Sequence, residues 1–339
     1  MKRMILILTQ AFCMVLMVGV FMACDGKTER RKVLPSSKGL PNELLLIVDE
    51  AVWNSSLRDS IEKVLKADVP GLSQSEPLFR MMRLYPQHFT ARYTTMRNIV
   101  ELRINPNLKE CKMNVAYNVK AHPQIYISIF APNPSALSSF LSVRGHDVVD
   151  LLVCSELEYE MQQLKKKYSK VVDVALREVL GCSVNVPSDI KKVKKAEQFL
   201  WASTDRLDKD LNFVAYSLPY EKDGTRFISE WVDARDSVMR INIPGSTPEK
   251  WMTTTKEAGT PLVLQQEIRL NDGRKVYEMR GLWEMHKGAI GGPFVSLAFP
   301  DSLHHRMIVV EGFVYSPDTG KRNLLRRMEA SLRTLNMKE

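Results

Sequence analysis

The chain has 339 residues, of which 45% are hydrophobic and 26% are charged, and its formal net charge at pH 7 is +9. This is the composition of an ordinary globular protein, and it excludes wholesale disorder, a collagen-like repeat and a protein with many membrane spans. The length suffices for two domains or one large one. Because the basic residues are scattered among acidic neighbours, we predict no nucleic-acid partner.

The N-terminus has the pattern of a lipoprotein signal peptide. Two basic residues precede a mostly apolar run over 4–22, and Ala23 supplies the small residue that a signal peptidase needs. Cys24 follows directly, so residues 21–24 resemble a bacterial lipobox, although Phe21 stands where leucine is usual. We expect Cys24 to be lipidated and to become the first mature residue, and the formal net charge then falls to +7. An uncleaved membrane anchor is the alternative, because the run has nearly the length that spans a bilayer.

A tether is predicted between this cysteine and the first strand. Residues 27–32 form a basic cluster, and Pro35, Gly39 and Pro41 follow within a few positions. Bases next to an anionic leaflet each add attraction on the order of 1 kcal/mol. A solvated linker with no membrane contact explains the same composition equally well.

Three other cysteines follow the tether, at Cys111, Cys154 and Cys182. They show no CxxC spacing, so the sequence indicates no zinc site, and at most one disulfide can form within the chain. We expect two of them to be buried as small apolar residues.

The first half of the chain alternates strand and helix patterns. Residues 43–48 form a continuous apolar run, which is typical of a buried strand. An amphipathic helix is predicted over 53–65, because apolar side chains recur there at spacings of three and four. Further strands are predicted over 79–85, 98–104 and 125–130.

A long helical stretch is predicted from residue 133 to residue 180, with a break near Gly145. Within 157–179 the apolar residues form a nearly heptad stripe. One long helix packed on a sheet is favoured over a coiled-coil dimer, because the stripe contains fewer than about four clean heptads. The lysines at 165–167 are expected on a solvated face.

The second half is richer in strands. A helix is predicted over 227–239 and a last one over 318–335, and Asp272-Gly273 indicates a hairpin turn. Strands are predicted over 184–187, 198–202, 211–218, 262–270, 275–285, 294–299 and 306–315.

These elements predict an α+β fold with mostly antiparallel sheets covered by helices, because closely spaced strands favour hairpins over parallel crossovers. A faint repeat of one helix and three strands leaves open whether two weakly related halves are present. We predict four segments, namely a signal peptide over 1–23, a tether over 24–41, and α+β halves over 42–181 and 182–339.

The sequence contains no common catalytic or nucleotide-binding motif. Glycine-rich phosphate loops, zinc-protease helices, nucleophile elbows and calcium loops are all missing from it. The six histidines are spread out, and the two adjacent ones, at 304 and 305, would point to opposite faces of a strand. We therefore predict no metal site and no cofactor.

One candidate site lies on the helix predicted over 227–239 and just beyond it. Asp233, Asp236 and Arg240 are three and four residues apart, so they share one helix face, and Arg235 lies beside it. Salt bridges on a solvated face are the favoured interpretation. The alternative is a catalytic site in which Arg235 and Arg240 hold an anionic group and a carboxylate acts as base.

A second candidate site is a glycine-rich segment between two predicted strands. His286 and Lys287 lie close to Gly291 and Gly292, whose backbone N–H groups are able to cradle an anion. A long hairpin loop is favoured, because no helix follows the glycines directly.

Several short stretches resemble an uncharacterised lipoprotein family of the Bacteroidetes that is labelled domain of unknown function 4837. They are residues 35–39, Asn42-Glu43, Gln74 with 76–79, 97–99, 235–238 with 242–245, and 311–315. The resemblance extends over nearly the whole chain beyond the signal segment. It implies a Gram-negative envelope location and supplies no activity, cofactor or catalytic residue.

We therefore expect a membrane-anchored lipoprotein of the cell envelope, held at the outer membrane and facing the periplasm, since no acidic export-like run follows Cys24. A non-catalytic module that binds an envelope protein or a glycan, or serves as a scaffold, is favoured. The alternative is an envelope hydrolase or transferase that uses Asp233, Arg235 and Asp236.

Overall fold

The computed structural model describes residues 33–337, and from Ser36 onward they belong to one compact unit. The predicted signal peptide, Cys24 and the first part of the tether lie outside the described residues. Their assignments therefore stay predictions.

The described residues form six α-helices and seventeen strands. The helices are α1 Glu50–Trp53, α2 Leu57–Leu65, α3 Pro134–Lys166, α4 Lys170–Leu180, α5 Gly224–Asn242 and α6 Arg322–Leu332. The strands of the first half are β1 Glu43–Val48, β2 Arg80–Leu84, β3 Asn98–Ile104, β4 Lys112–Tyr117 and β5 Ile125–Ala131. The strands of the second half are β6 Cys182–Ser183, β7 Lys192–Ala196, β8 Phe199–Ser203, β9 Asp210–Pro219, β10 Met252–Thr254, β11 Lys256–Glu257, β12 Thr260–Pro261, β13 Val263–Arg269, β14 Lys275–Met285, β15 Gly291–Asp301, β16 Arg306–Tyr315 and β17 Asn336–Met337.

A five-stranded sheet with the order β2-β1-β3-β5-β4 forms the core of the first half. Three of its four strand pairs are parallel, and only β4 runs antiparallel to its neighbour. The strands β1 and β3 are mostly buried on both faces, as parallel strands usually are, whereas alternate residues of β5 are only half-buried. Helices α2 and α3 cover one face, and the segment 85–97 contributes to the cover of the other.

An eight-stranded antiparallel sheet forms the core of the second half. Its order is β10-β14-β15-β16-β9-β8-β7, and β13 also pairs with β14. Successive residues of β9 alternate between two cores, so that Phe213 packs with α4 and α6 while Val214 packs with α5. The sheet therefore lies between α5 on one face and α4 with α6 on the other.

The fold class is confirmed as α+β, because most strand pairs are antiparallel and helices cover both sheets. The first sheet is the exception to the antiparallel pattern. Helix α3 also runs through Gly145 without the predicted break. A Cβ atom at Gly145 would lie 2.6 Å from Cγ2 of Val64, so the glycine allows α2 and α3 to pack closely.

A buried carboxylate on α3 connects this helix to the first sheet. Glu156 Oε1 accepts hydrogen bonds from Nε of Arg97 at 2.6 Å and from Nδ2 of Asn98 at 2.7 Å. Its Oε2 accepts from the backbone N–H of Asn42 at 2.9 Å. Arg97 and Glu156 are both 4% exposed, and the Arg97 guanidinium also stacks on the ring of Tyr159.

Helix α6 connects the two halves at its N-terminus. The backbone N–H groups of Lys321 and Arg322 donate to the carboxylate of Glu76 at 2.6 and 3.1 Å. A carboxylate satisfies the free donors at a helix N-terminus and is favoured there by the helix dipole. Glu76 lies in the first half of the chain, so this contact fixes α6 against both halves.

We predict that Glu156→Ala lowers the free energy of unfolding by about 3–5 kcal/mol, because it leaves the Arg97 guanidinium buried without its partner. Urea unfolding followed by circular dichroism measures the change. The control is Glu158→Ala on the same helix, an exposed position where we expect a change within about 0.5 kcal/mol. Equal effects of the two variants would contradict this role of Glu156.

Candidate functional site

Arg235, from the first predicted site, lies on α5 and is fully buried. Its Nε donates to Glu311 Oε2 at 2.8 Å and its Nη2 donates to Oε1 at 2.6 Å, which is a bidentate ion pair. The guanidinium carbon also lies 4.0 Å from the ring centroid of Phe294. Burial alone would lower the pKa of Arg235, but the Glu311 carboxylate outweighs this effect and raises that pKa. The pair connects α5 to β16.

Asp236 is hydrogen bonded to the strand beside α5. Its Oδ1 accepts from the backbone N–H of Thr254 at 2.8 Å and from the hydroxyl of the same residue at 2.6 Å. Its Oδ2 accepts from the hydroxyl of Thr253 at 2.9 Å. Asp233 and Arg240 are exposed. Arg235 is therefore part of the protein interior, whereas Asp233 and Arg240 face solvent.

The structure brings together one residue from each predicted site. The Arg240 guanidinium lies 4.3 Å from the ring centroid of Trp251, and the ring of His286 stacks on the same indole at 4.2 Å. The backbone N–H of His286 also donates to the carbonyl of Trp251. Lys287 lies in the adjoining turn and reaches Glu249 at 3.3 Å. These contacts connect α5 to the turn between β14 and β15.

Gly291 and Gly292 belong to β15 rather than to a loop. They pair with Glu284 and Trp283 of β14. A Cβ atom at Gly292 would lie 2.0 Å from the carbonyl oxygen of Val314, and one at Gly291 would lie 2.6 Å from that of Trp283. The missing side chains therefore allow close backbone approach within the sheet.

A cleft lies elsewhere, where α3 meets the second half of the chain. It encloses about 270 Å³ and has Leu157 and Met161 of α3 on one wall. The turn between β13 and β14 supplies Leu270, and Arg333 lies at the end of α6. None of the eight residues in the two predicted sites lines it. Pockets of this kind occur preferentially where two domains meet.

Some charged groups of this cleft already have hydrogen-bond or ion-pair partners, and others do not. Glu158 accepts a hydrogen bond from Nδ2 of Asn271, and Asp272 is held by the guanidinium of Arg274. Among the described residues no carboxylate forms an ion pair with Lys165, and Nε of Arg333 is buried without a hydrogen-bond partner. Lys165 is therefore the cation of the wall that has no ion-pair partner among the described residues.

A buried charge cluster lies behind the cleft and fixes Arg333. Oε1 of Glu329 on α6 lies 2.7 Å from Nη2 of Arg280 and 2.9 Å from Nη2 of Arg333. Its Oε2 accepts from Nη1 of Arg326 at 3.0 Å. Burial alone would raise the pKa of Glu329, but the guanidinium groups of Arg280, Arg326 and Arg333 outweigh it and lower that pKa. Glu278 of β14 contributes a second carboxylate, 2.9 Å from Nη2 of Arg280.

The three cysteines of the described residues carry free thiols. Cys182 is buried, whereas Cys111 and Cys154 are only partly so. Cys154 lines the cleft, and burial raises the pKa of its thiol. A thiol with a raised pKa stays protonated at neutral pH and is a poor nucleophile.

Sequence reasoning missed this cleft. Leu157 and Met161 belong to the apolar stripe of α3, where they are indistinguishable from core positions, and Lys165 was expected on a solvated face. The spacing of Glu329 and Arg333 predicts an ordinary ion pair along one helix, whereas Glu278 meets Arg333 only after α6 packs on β14, so the sequence does not place Arg333 in a cleft.

The described residues lack two further kinds of feature. Within 33–337 no group of three or more His, Cys, Asp or Glu side chains is placed to hold a metal ion. No helix in the same range is both long and apolar enough to cross a bilayer.

We predict that stability falls as the pH drops below the ordinary pKa of glutamate, which is 4.5. The pKa of Glu329 is lower in the folded chain, so its contribution is complete above that value and is lost as the pH falls through the folded-state pKa. Urea midpoints measured from about pH 7 to about pH 3 follow this loss.

The variant Glu329→Gln tests whether Glu329 causes this loss of stability in acid. It should be less stable than the wild type at neutral pH and should lose less further stability in acid. Glu249→Gln, at an exposed position, should keep the wild-type dependence. A wild-type acid slope in Glu329→Gln would exclude Glu329 as its source.

Two solved structures show a distant likeness to the chain. The Ran-binding protein Mog1p of Saccharomyces cerevisiae has a TM-score of 0.31 and 11% sequence identity, and the match covers 46% of this chain and 89% of that one. A mutant of protein Mog1 has a TM-score of 0.29 and 12% identity, with coverages of 46% and 90%. These scores are too low to support any statement about fold or function. No curated protein matches the chain.

Two family models match the chain in succession. Residues 37–165 match a domain of unknown function, DUF8532, and residues 169–334 match a second one, DUF4837. The resemblance to DUF4837 is thus supported for the second half, whereas the first half matches a model of its own. The two halves of the chain therefore match two different domains of unknown function.

Proposed function

We propose that the protein is a lipid-anchored, non-catalytic binding protein of the cell envelope, attached through Cys24 at the outer membrane and facing the periplasm. Its ligand is a small amphipathic molecule with an anionic group, bound in the cleft between α3, the β13–β14 turn and Arg333. The leader pattern of residues 1–24 supports the anchor. The cleft is the observation that carries the binding function.

The ligand class follows from the chemistry of the cleft wall. Leu157, Met161 and Leu270 offer apolar contact. Lys165 has no described carboxylate partner, and Nε of Arg333 retains a donor without an acceptor. A carboxylate or phosphate on the ligand pairs with Lys165 through a charge-assisted hydrogen bond, next to the guanidinium of Arg333. The apolar part of the ligand then lies along α3.

Binding is favoured over the hydrolase or transferase alternative because of how the candidate groups are held. The Arg235 guanidinium is fully buried against Glu311, so it is not free to hold a substrate. Both oxygens of Asp236 already accept hydrogen bonds from Thr253 and Thr254, so this carboxylate holds α5 to β10. In the cleft the Cys154 thiol stays protonated, since burial raises its pKa.

We predict that Met161→Trp, which fills the cleft, reduces the fraction of protein that carries ligand by about tenfold, because the ligand loses its packing surface. Native mass spectrometry of protein isolated from its own membranes without denaturation measures this fraction as a mass difference between the native and the denatured chain.

The matched control is Val143→Trp, on the same helix at a position that is 66% exposed and outside the cleft. It should retain ligand at the wild-type level. A wild-type protein without a bound molecule, or equal retention by the two variants, would refute the cleft as the binding site.

The anchor has a separate test. We predict that the mature protein begins at Cys24 and that its N-terminal peptide carries the added mass of acyl chains in intact-mass analysis. The variant Cys24→Ser should lose that mass. Detection of residues 1–23 on the wild-type protein would show an uncleaved anchor instead.

A further inference from the structure

The outer surface of α4 carries exposed apolar side chains beside the edge of the large sheet. Val171 and Val174 are 56% and 55% exposed. Together with Val193 of β7 they line an open groove of about 470 Å³ whose wall is mostly apolar. Isolated exposed valines need no explanation, but here they share one groove at one edge of the molecule.

Lysines lie in and beside this groove, and two of them, Lys170 and Lys195, line it. Lys165, Lys166, Lys167 and Lys170 are exposed at the junction of α3 and α4, and none forms an ion pair with a described carboxylate. The acidic groups of α4 are already paired, Asp173 with Arg177 and Glu178 with Lys195. The stretch 165–209 has a net charge of +5. The groove therefore combines apolar side chains with unpaired positive charge on one side.

We propose that this surface, formed by Val171, Val174 and Val193 with the lysines at 165–167 and 170, docks on an anionic lipid bilayer. The valines enter the boundary between headgroups and acyl chains, and the long lysine side chains reach lipid phosphates around them. An anionic leaflet attracts such basic clusters within a Debye length. Lys165 also lines the binding cleft, but the valines and the other lysines of this surface lie outside it.

The composition favours a membrane over a protein partner. Cores of protein interfaces are enriched in aromatic residues, methionine and arginine and are depleted in lysine. This surface has the opposite character, with valines at its centre and lysines at its rim. A second copy of the chain would also place two unpaired lysine clusters next to each other, which is unfavourable.

If the predicted anchor is present, weak docking is sufficient to keep this surface on the bilayer. Eleven residues lie between Cys24 and Ser36, and the twelve residue steps from one to the other span at most about 43 Å. The compact unit would thus stay near the bilayer, where its effective concentration is high. Docking itself does not require the anchor, so the two are tested separately.

The test uses residues 36–339, which form one compact unit containing all the described hydrophobic cores. Co-sedimentation is measured with vesicles of phosphatidylcholine alone and with vesicles that also contain phosphatidylglycerol. We expect binding to the anionic vesicles only, with affinity that decreases as salt is added. Val171→Asp combined with Val174→Asp should lower the partition coefficient by about tenfold or more.

Two controls separate docking from general effects. Val143→Asp places the same charge at another exposed valine and should bind as the wild type does. Lys166→Glu with Lys167→Glu should lose binding, whereas Lys109→Glu with Lys112→Glu, at exposed positions of the first half, should lose much less.

Three outcomes would overturn the proposal. The first is an absence of binding to anionic vesicles by a folded wild-type unit. The second is equal binding by the Val171/Val174 variant and the Val143 variant when their circular dichroism matches. The third is concentration-dependent self-association that the Val171/Val174 variant abolishes, because the surface would then join two copies of the chain.

Discussion

The arrangement of this protein depends on the burial of one carboxylate, that of Glu329 on α6. A carboxylate without a partner in such a place would be too costly, and here Arg280, Arg326 and Arg333 surround it. Because Arg280 belongs to β14, the ion pairs of Glu329 fix α6 to the large sheet. The other side of α6 packs on α3, and Glu76 holds its N-terminus from the first half. The cleft exists because these contacts leave Arg333 at the point where α3 and the β13–β14 turn face each other.

The residues that carry the resemblance to an uncharacterised family have structural roles in this fold. Asn42, Arg97 and Asn98 hold the buried carboxylate of Glu156. Arg235 and Glu311 form the bidentate pair that joins α5 to β16. Polar side chains of this kind look like catalytic residues in a sequence, because both uses require charge, hydrogen-bonding capacity and specific geometry. The difference is visible only in the burial of each group and in its partner.

The apolar runs of the sequence predict most strands, since a continuous run such as 43–48 has few alternatives in a globular core. The apolar runs do not predict strand direction, so the sequence does not indicate that β1 pairs in parallel with β2 and β3. Helix α3 continues through Gly145 because close contact with Val64 outweighs the low helix propensity of glycine. The cleft is missed for a related reason. Its walls come from segments more than a hundred residues apart, and periodicity describes one segment at a time.

Both matched segments contribute to the cleft, α3 from the first and the β13–β14 turn with Arg333 from the second. Neither segment alone has both walls, so the proposed ligand binding would require both. Lys165 lies at the end of the first match and lines the cleft, while Lys170, five residues later, lines the groove on α4. If that groove rests on an anionic leaflet, the mouth of the cleft near Lys165 lies close to the lipid headgroups. An amphipathic ligand with an anionic group then reaches the cleft from the bilayer itself, with its charge already at the depth of the lysines.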